Sequence, residues 1–205
     1  MTLKIYGIAA SRAVRTLWAA EELGLPYEHV KLSFTDPALK EPGFLALNPN
    51  GAIPVIDDDG VVMFESLAIN LYLARRHGAG TLGPANLEEE AQVLQWTLWA
   101  ATEIESQTRV WAQHTFYLPE AERRPEALAG ALEALGKRMA VADGVLADRP
   151  WLVGGRFTVA DLNLAATLIR FSELGGPAHP HLAAWHARCM ARPAAQKAMA
   201  MRAAG

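Results

Sequence analysis

The chain has 205 residues, enough for one large domain or two small ones, and its formal net charge of −3 is spread without a block of like charges. That balance argues against nucleic acid or a charged membrane surface as partner and leaves a small soluble molecule. Apolar residues make up 51%, yet no run approaches the roughly 18 residues of a membrane-spanning helix, and "MTLKIYGIAA" lacks the apolar core of a signal peptide, so the expected location is cytoplasmic. Cys189 is the single cysteine, which excludes an internal disulfide and any C-x-x-C site. Of the histidines (29, 77, 114, 179, 181 and 186), only His181 and His186 fall near Cys189; these lie on a helical pattern and read as surface or packing residues, so no metal is expected.

In chain order, "LKIYGI" (3–8) reads as a short strand. Residues Ser11 to Leu25 read as a helix, with Val14, Leu17 and Trp18 at helical spacing. "YEHVKLSF" (27–34) alternates as a strand, and "PALKEPGFLAL" (37–47) is a short helix or an irregular turn. "IPVIDDDGVVMF" (53–64) predicts a hairpin turning at Asp57 to Gly60, and "ESLAINLYLARRHG" (65–78) a helix with basic residues in its last turn and glycine after them. Beyond "AGTLGPAN" (79–86) the strand patterns vanish and helical ones cover 87–115, 119–147, 158–172, 180–191 and 193–203. The expected organisation is a βαβ-ββα domain with a mixed sheet (1–78), a linker (79–86) and an all-helical domain (87–205). In "RFTVADLNLA", Thr158 can cap a helix, Asp161 can reach back to it and Phe157 can staple onto Leu162, which accounts for Asp161 without a catalytic role.

Three places carry chemistry. Pro54 sits inside an apolar run where it can donate no ladder hydrogen bond. Either it is an edge-strand proline in trans, or an X-Pro bond in cis aims the backbone into the sheet and leaves the Ile53 N–H and C=O for a peptide-like ligand. Glu65 and Ser66 open a helix, where N–H groups favour an anion and a neighbouring carboxylate favours an amine; together they suit an α-amino acid end, or else they are an acid and a cap. Ser11 opens the first helix, either as a cap or with its hydroxyl placed to stabilise a thiolate.

The stretches "SRAVRTLWAAEELGLPYE", "LNPNGAIPVI" and "FESLAINLYLA" resemble the N-terminal thioredoxin-like domain of cytosolic glutathione S-transferases, and "GGRFTVADLNLA" resembles a helix of their C-terminal domain. The first stretch is more similar to a bacterial and fungal branch than to the alpha, mu or pi classes. The resemblance implies a cis proline at Pro54, backbone pairing of Ile53 with the cysteinyl part of glutathione, and capture of the γ-glutamyl end by Glu65 and Ser66. Lys40 resembles a contact to the glycine carboxylate. The activating residue implied is Ser11, with Arg12, Arg15 or a backbone N–H as alternatives. Trp111, His114, Phe116 and Tyr117 are candidates for an apolar electrophile slot between the domains, while Trp96 and Trp99 are core or dimer-facing. The function implied is a homodimeric glutathione transferase with glutathione as co-substrate and no resident cofactor, its partner flank around Ala68, Leu71 and Tyr72. A glutathione-dependent peroxidase or isomerase, or a non-catalytic binding module, are the alternatives on this fold.

Overall fold

A computed structural model describes residues 3–204. The chain forms two compact units, one running up to Asn86 and resuming at Ala191, the other spanning Leu87–Met190.

In the first unit, β1 (Leu3–Tyr6), β2 (Tyr27–Val30), β3 (Val55–Asp58) and β4 (Val61–Phe64) form one mixed sheet in the order β2-β1-β3-β4. β1 pairs parallel with β2 through α1 (Ala13–Glu22) and antiparallel with β3, where Ile5 lies opposite Ile56. Val55 and Ile56 are both fully buried, which explains why this strand is apolar without alternation. β4 is an edge strand, and Val61, Val62 and Phe64 on it are exposed. The β3–β4 turn has Asp59 at φ 52 and Gly60 at φ 88, the two positive values a two-residue hairpin loop demands of an Asp-Gly pair. α2 (Pro42–Leu47) follows a short 3-10 turn at Pro37–Lys40, and α3 (Ser66–His77) completes the sequence-predicted set. Buried Asp58 at the end of β3 anchors α3: the Tyr72 hydroxyl donates to it at 3.0 Å, and Arg76 Nε and His77 Nε2 lie 3.2 and 3.1 Å away. Burial and then the Asp58 carboxylate push the Tyr72 pKa up.

Every residue of α1 from Ala13 to Ala20 is buried because α3 and α9 (Pro193–Ala203) both pack on this helix. Ala195 and Ala198, three positions apart on α9, are fully buried, and their small side chains permit close approach. Arg192 forks onto Glu22, with Nε and Nη2 each 2.8 Å from a carboxylate oxygen, and Trp18 Nε1 donates to the same group at 3.0 Å. Lys197 lies 2.8 Å from Glu21, which also accepts from the Tyr27 hydroxyl at 2.7 Å; burial, reinforced by this carboxylate, pushes the tyrosine pKa above its ordinary value. The last helix therefore packs within the α/β unit, whereas the sequence grouped residues 87–205 into one helical domain.

The second unit contains α4 (Leu87–Trp99), α5 (Ser106–Ala112), α6 (Pro125–Leu146), α7 (Val159–Thr167) and α8 (Pro180–Met190). The predicted continuous helix over 87–115 is interrupted by π-helical segments at Ala100–Glu105 and Gln113–Tyr117. The Thr102, Ser106 and Thr115 hydroxyls donate to the carbonyls of Leu98, Thr102 and Trp111, satisfying oxygens that the wider winding releases.

Asp161 is fully buried and accepts four hydrogen bonds: from the N–H of Leu152 (2.9 Å) and Trp185 Nε1 (2.8 Å) on one oxygen, and from the Thr158 N–H (2.9 Å) and hydroxyl (3.1 Å) on the other. The expected capping box is present, and its acid also ties the 152 loop and α8 to α7. Burial raises the Asp161 pKa, opposed by these donors. Phe157, expected to staple onto Leu162, is buried and edge-stacked on Trp151 at 5.5 Å. On α8, His181 is exposed whereas His186 and Cys189 are buried. His186 stacks on Phe171 at 4.4 Å, and its Nε2 has no hydrogen-bond partner among the described residues. Burial lowers its pKa from 6.5 to about 4, against the opposing influence of the backbone at Leu168 and Ala165.

Thr158→Ala should cost about 0.5–2 kcal/mol in urea denaturation. Asp161→Asn should cost more, about 2 kcal/mol or above, because an amide turns an NH2 toward donors whichever way it is oriented. His186 gives a pH signature. Its folded pKa of about 4 lies below the unfolded value, so the unfolded chain takes up the proton first and stability falls as pH drops from 6.5 toward 4. The loss should approach about 3 kcal/mol for this one group, and His186→Leu should flatten the stability–pH profile in that window.

Candidate active site

The β1–α1 connection begins at Gly7, whose φ is +126. A Cβ there would lie 3.0 Å from both Ala13 Cβ and Ile53 Cβ, so the absent side chain lets the start of α1 and the Ile53 turn close on the end of β1. Half-buried Ser11 donates its hydroxyl proton to the Ile8 carbonyl at 2.7 Å and accepts from the Ala13 N–H at 3.1 Å. It is thus a local cap in this geometry, and donating to a ligand requires its O–H to rotate off Ile8. Arg12 is exposed. Arg15 is buried, and its Nη1 donates to Ser66 Oγ at 3.3 Å, a contact spanning 51 residues.

The Ile53–Pro54 bond is cis, as expected at this position. The Ile53 N–H and C=O have no hydrogen-bond partner among the described residues, and its side chain packs on the cluster of Leu39, Phe44 and Val55. Asn48, which the sequence reading did not single out, knits the approach to this turn. It is buried, donates to the Ala52 carbonyl at 2.7 Å and accepts from the Asn50 N–H at 3.0 Å. The signal for it was its place in "LNPNG", an Asx residue before a proline at the start of a turn that closes with the Gly51 N–H on the Asn48 carbonyl at 2.9 Å. Lys40 Nζ reaches the Gly51 carbonyl at 3.5 Å, which puts the cation two residues from Ile53. Gly51 has φ +57, and a Cβ there would lie 2.8 Å from both the Leu39 carbonyl oxygen and Lys40 Nζ.

Glu65 has φ 71 and ψ 102, a conformation that costs a non-glycine residue about 1–3 kcal/mol and persists only where the surroundings enforce it. Its side chain is exposed. Ser66 follows as the first residue of α3, buried, at the positive end of the helix dipole. The structure therefore places Ser11, Arg15, Lys40, Ile53, Glu65 and Ser66 in one unit, where Arg15 touches Ser66 directly and Lys40 reaches Gly51, two residues before Ile53.

The aromatic candidates lie in the helical unit and differ in exposure. Trp111 is buried and edge-stacked on Phe116 at 5.3 Å, with the Arg170 guanidinium 4.6 Å from the Phe116 ring centre. His114 is buried, and its Nδ1 accepts from the Arg124 N–H at 3.1 Å, a structural tie. Phe116 and Tyr117 are exposed, Tyr117 by 75%. Trp96 is buried and packs edge-on against half-buried Trp99 at 5.3 Å. Among the described residues no group of three His, Cys, Asp or Glu side chains could hold a metal ion, and no helix is long and apolar enough to cross a membrane.

Residues 1–75 match the family model "Glutathione S-transferase, N-terminal domain", and residues 107–193 match "Glutathione S-transferase, C-terminal domain". Glutathione S-transferase 3 of Zea mays is 35% identical over 210 residues, covering 97% of this chain and 93% of its own. Glutathione S-transferase GstB of Escherichia coli K12 is 29% identical over 187 residues, covering 89% and 90%. A theta class glutathione S-transferase from Xanthomonas axonopodis pv. citri, solved with glutathione bound, superposes with a TM-score of 0.87 at 36% identity and covers 96% of each chain. With two domain matches in order and full-length relatives above 30% identity, the chain belongs to the cytosolic glutathione S-transferase superfamily.

Proposed function

We propose that this chain is a glutathione transferase that binds glutathione across the first unit and turns its thiol into a thiolate for attack on a small apolar electrophile. The observation that carries the reading is the set of contacts joining the candidate residues: Gly7 against Ile53, Arg15 on Ser66, and Lys40 on the Gly51 carbonyl. They bind separate stretches of sequence into a surface with the polarity of a tripeptide. The unpaired Ile53 backbone suits the cysteinyl peptide group, and Lys40 suits the glycine carboxylate. At the other end, the α3 N-terminus with Ser66 suits the γ-glutamyl carboxylate, while Glu65 suits its ammonium. Arg15 aims Ser66 and adds positive charge beneath that carboxylate.

The chemistry is proton removal followed by oriented attack. A thiol with a solution pKa near 8.5 is largely protonated at neutral pH, so hydrogen bonds and positive charge at the sulfur raise the reactive fraction. The proton leaves to solvent and the sulfur lone pair forms the new C–S bond, with the electrophile's leaving group or π electrons accepting the displaced pair. Ser11 is the activating residue in this reading, its hydroxyl turning from Ile8 to the sulfur. Because that proton is already directed at a carbonyl, Arg12 and Arg15 are the alternatives. On the helical unit, Phe116 and Tyr117 are the accessible aromatics for an apolar electrophile, whereas Trp111 and His114 are packed inward. The exposed apolar edge of β4, together with half-buried Ala68, Leu71 and Tyr72 on α3, supports a homodimer. A cytoplasmic location fits this reading.

Binding to immobilised glutathione followed by conjugation of a generic aryl halide tests the proposal, and absence of both would overturn it. Ser11→Ala should raise the thiol pKa seen in the pH dependence of conjugation and cut turnover by about 10- to 1,000-fold, with glutathione affinity nearly unchanged. If the pKa stays in place in that variant and rises in Arg12→Ala or Arg15→Ala, the serine is a cap and the arginine is the activator. Glu65→Gly separates strain from binding. It removes the carboxylate and relieves the positive φ, so the melting temperature should hold or rise while glutathione affinity falls by about 10- to 100-fold, as expected for a lost charge-assisted hydrogen bond. Unchanged affinity would remove Glu65 from the site.

A further inference from the structure

The connection that carries Ser11 is held from behind by the last helix. Ile8 is fixed by its N–H to the Leu32 carbonyl at 2.9 Å, and its own carbonyl takes both Ser11 donors, the N–H at 3.0 Å and the hydroxyl at 2.7 Å. The next two carbonyls, of Ala9 and Ala10, both face Arg202 of α9, whose Nη1 lies 3.4 and 3.0 Å from them. Three consecutive carbonyls of this loop are therefore bound, two of them by one guanidinium.

We propose that Arg202 is a positioning residue for thiol activation, clamping the Ser11 loop through the Ala9 and Ala10 carbonyls and supplying a fixed positive charge behind it. The inference rests on the reading of Ser11 as the residue nearest the glutathione sulfur. Two effects act together. The clamp keeps the Ser11 oxygen at a fixed depth, so its hydroxyl needs only to rotate. The charge polarises the Ala10–Ser11 peptide unit and offsets the negative end of the α9 dipole, which would otherwise oppose an anion near this loop. Of the other charged groups on the elements packed here, Glu21 and Glu22 of α1 pair with Lys197 of α9 and Arg192 just before it, Arg76 and His77 of α3 lie against Asp58, and Arg12 and Arg15 are cations of the loop and α1.

Arg192 supplies the control, because it fastens the same helix at its other end, forking onto Glu22 of α1. Wild type, Arg202→Met, Arg202→Lys and Arg192→Met, all as full chains, would be titrated with glutathione bound, reading the thiolate by ultraviolet difference absorbance alongside kcat and KM. Arg202→Met should raise the bound thiol pKa by about half a unit to one unit and lower kcat at neutral pH about three- to tenfold, with KM for glutathione little moved. Arg202→Lys should recover most of the pKa, since the charge remains. Arg192→Met should lower the melting temperature and leave the thiol pKa in place. A wild-type thiolate signal that Arg202→Met leaves unchanged, or that Arg192→Met shifts equally, would overturn this inference alone. Absence of a thiolate signal in the wild type would overturn the functional reading and this inference with it.

Discussion

The absent side chain at Gly7 is the constraint on which the site depends. β1 ends there at φ +126, with the first residue of α1 and the Ile53 turn both at the distance where a Cβ would already be too close. A side chain here would be strained at this φ and would crowd both the helix start and the Ile53 side chain, loosening the packing of Ser11's loop against the Ile53 turn. The sheet itself would survive such a change, because its registers are fixed by buried Leu3, Ile5, Val55 and Ile56. What would be lost is the close approach of the Ser11 and Ile53 loops.

Around that contact, polar groups are tied down by partners within the unit. Ser66 is aimed by a buried guanidinium, the Gly51 carbonyl is met by Lys40, Asn48 knits the 48–52 loop, and Arg202 takes the carbonyls ahead of Ser11. Glu65 is the exception, exposed and strained in φ. Strain of that kind survives only when neighbours over-determine the backbone, and here Asp58 with Tyr72, Arg76 and His77 locks α3 while the hairpin fixes β4 on its other side. The backbone at Glu65 is thereby fixed, and with it the direction in which its side chain leaves the chain.

Much of this was legible in the sequence because it is local. Pro54 within an apolar run, the Glu65-Ser66 pair at a helix start, the Asp-Gly hairpin and the Thr158–Asp161 box each declare themselves within a few residues, and four short stretches in order carried the family. The parts that could not be read connect distant residues. Nothing in "SRAVRT" shows that Arg15 points at Ser66 rather than at a sulfur, and nothing in the final helix shows that it lies on α1 instead of joining the helical unit. Alanine at 195 and 198 reads as helix propensity when it also marks close packing. The π-helical segments at 100–105 and 113–117 were hidden for another reason: one residue of extra winding shifts the apolar stripe too little to break a 3.6-residue period.

The two units also divide the labour of stability and chemistry. In the helical unit the buried polar groups are structural: Asp161 gathers four donors from three segments, His114 accepts the Arg124 N–H, and Glu89 forks with Arg156 at 2.7 and 2.9 Å. In the α/β unit the corresponding groups stand beside the Ile53 backbone, which has no hydrogen-bond partner among the described residues, and beside the start of α3. A buried carboxylate with all its donors satisfied cannot accept a proton from substrate without breaking the core, whereas an unpaired backbone edge has nothing to break. Asp161 is therefore a structural acid, whereas the Ser11 loop, where a helix start and the Arg202 guanidinium converge, is the part of the α/β unit that the proposed chemistry uses.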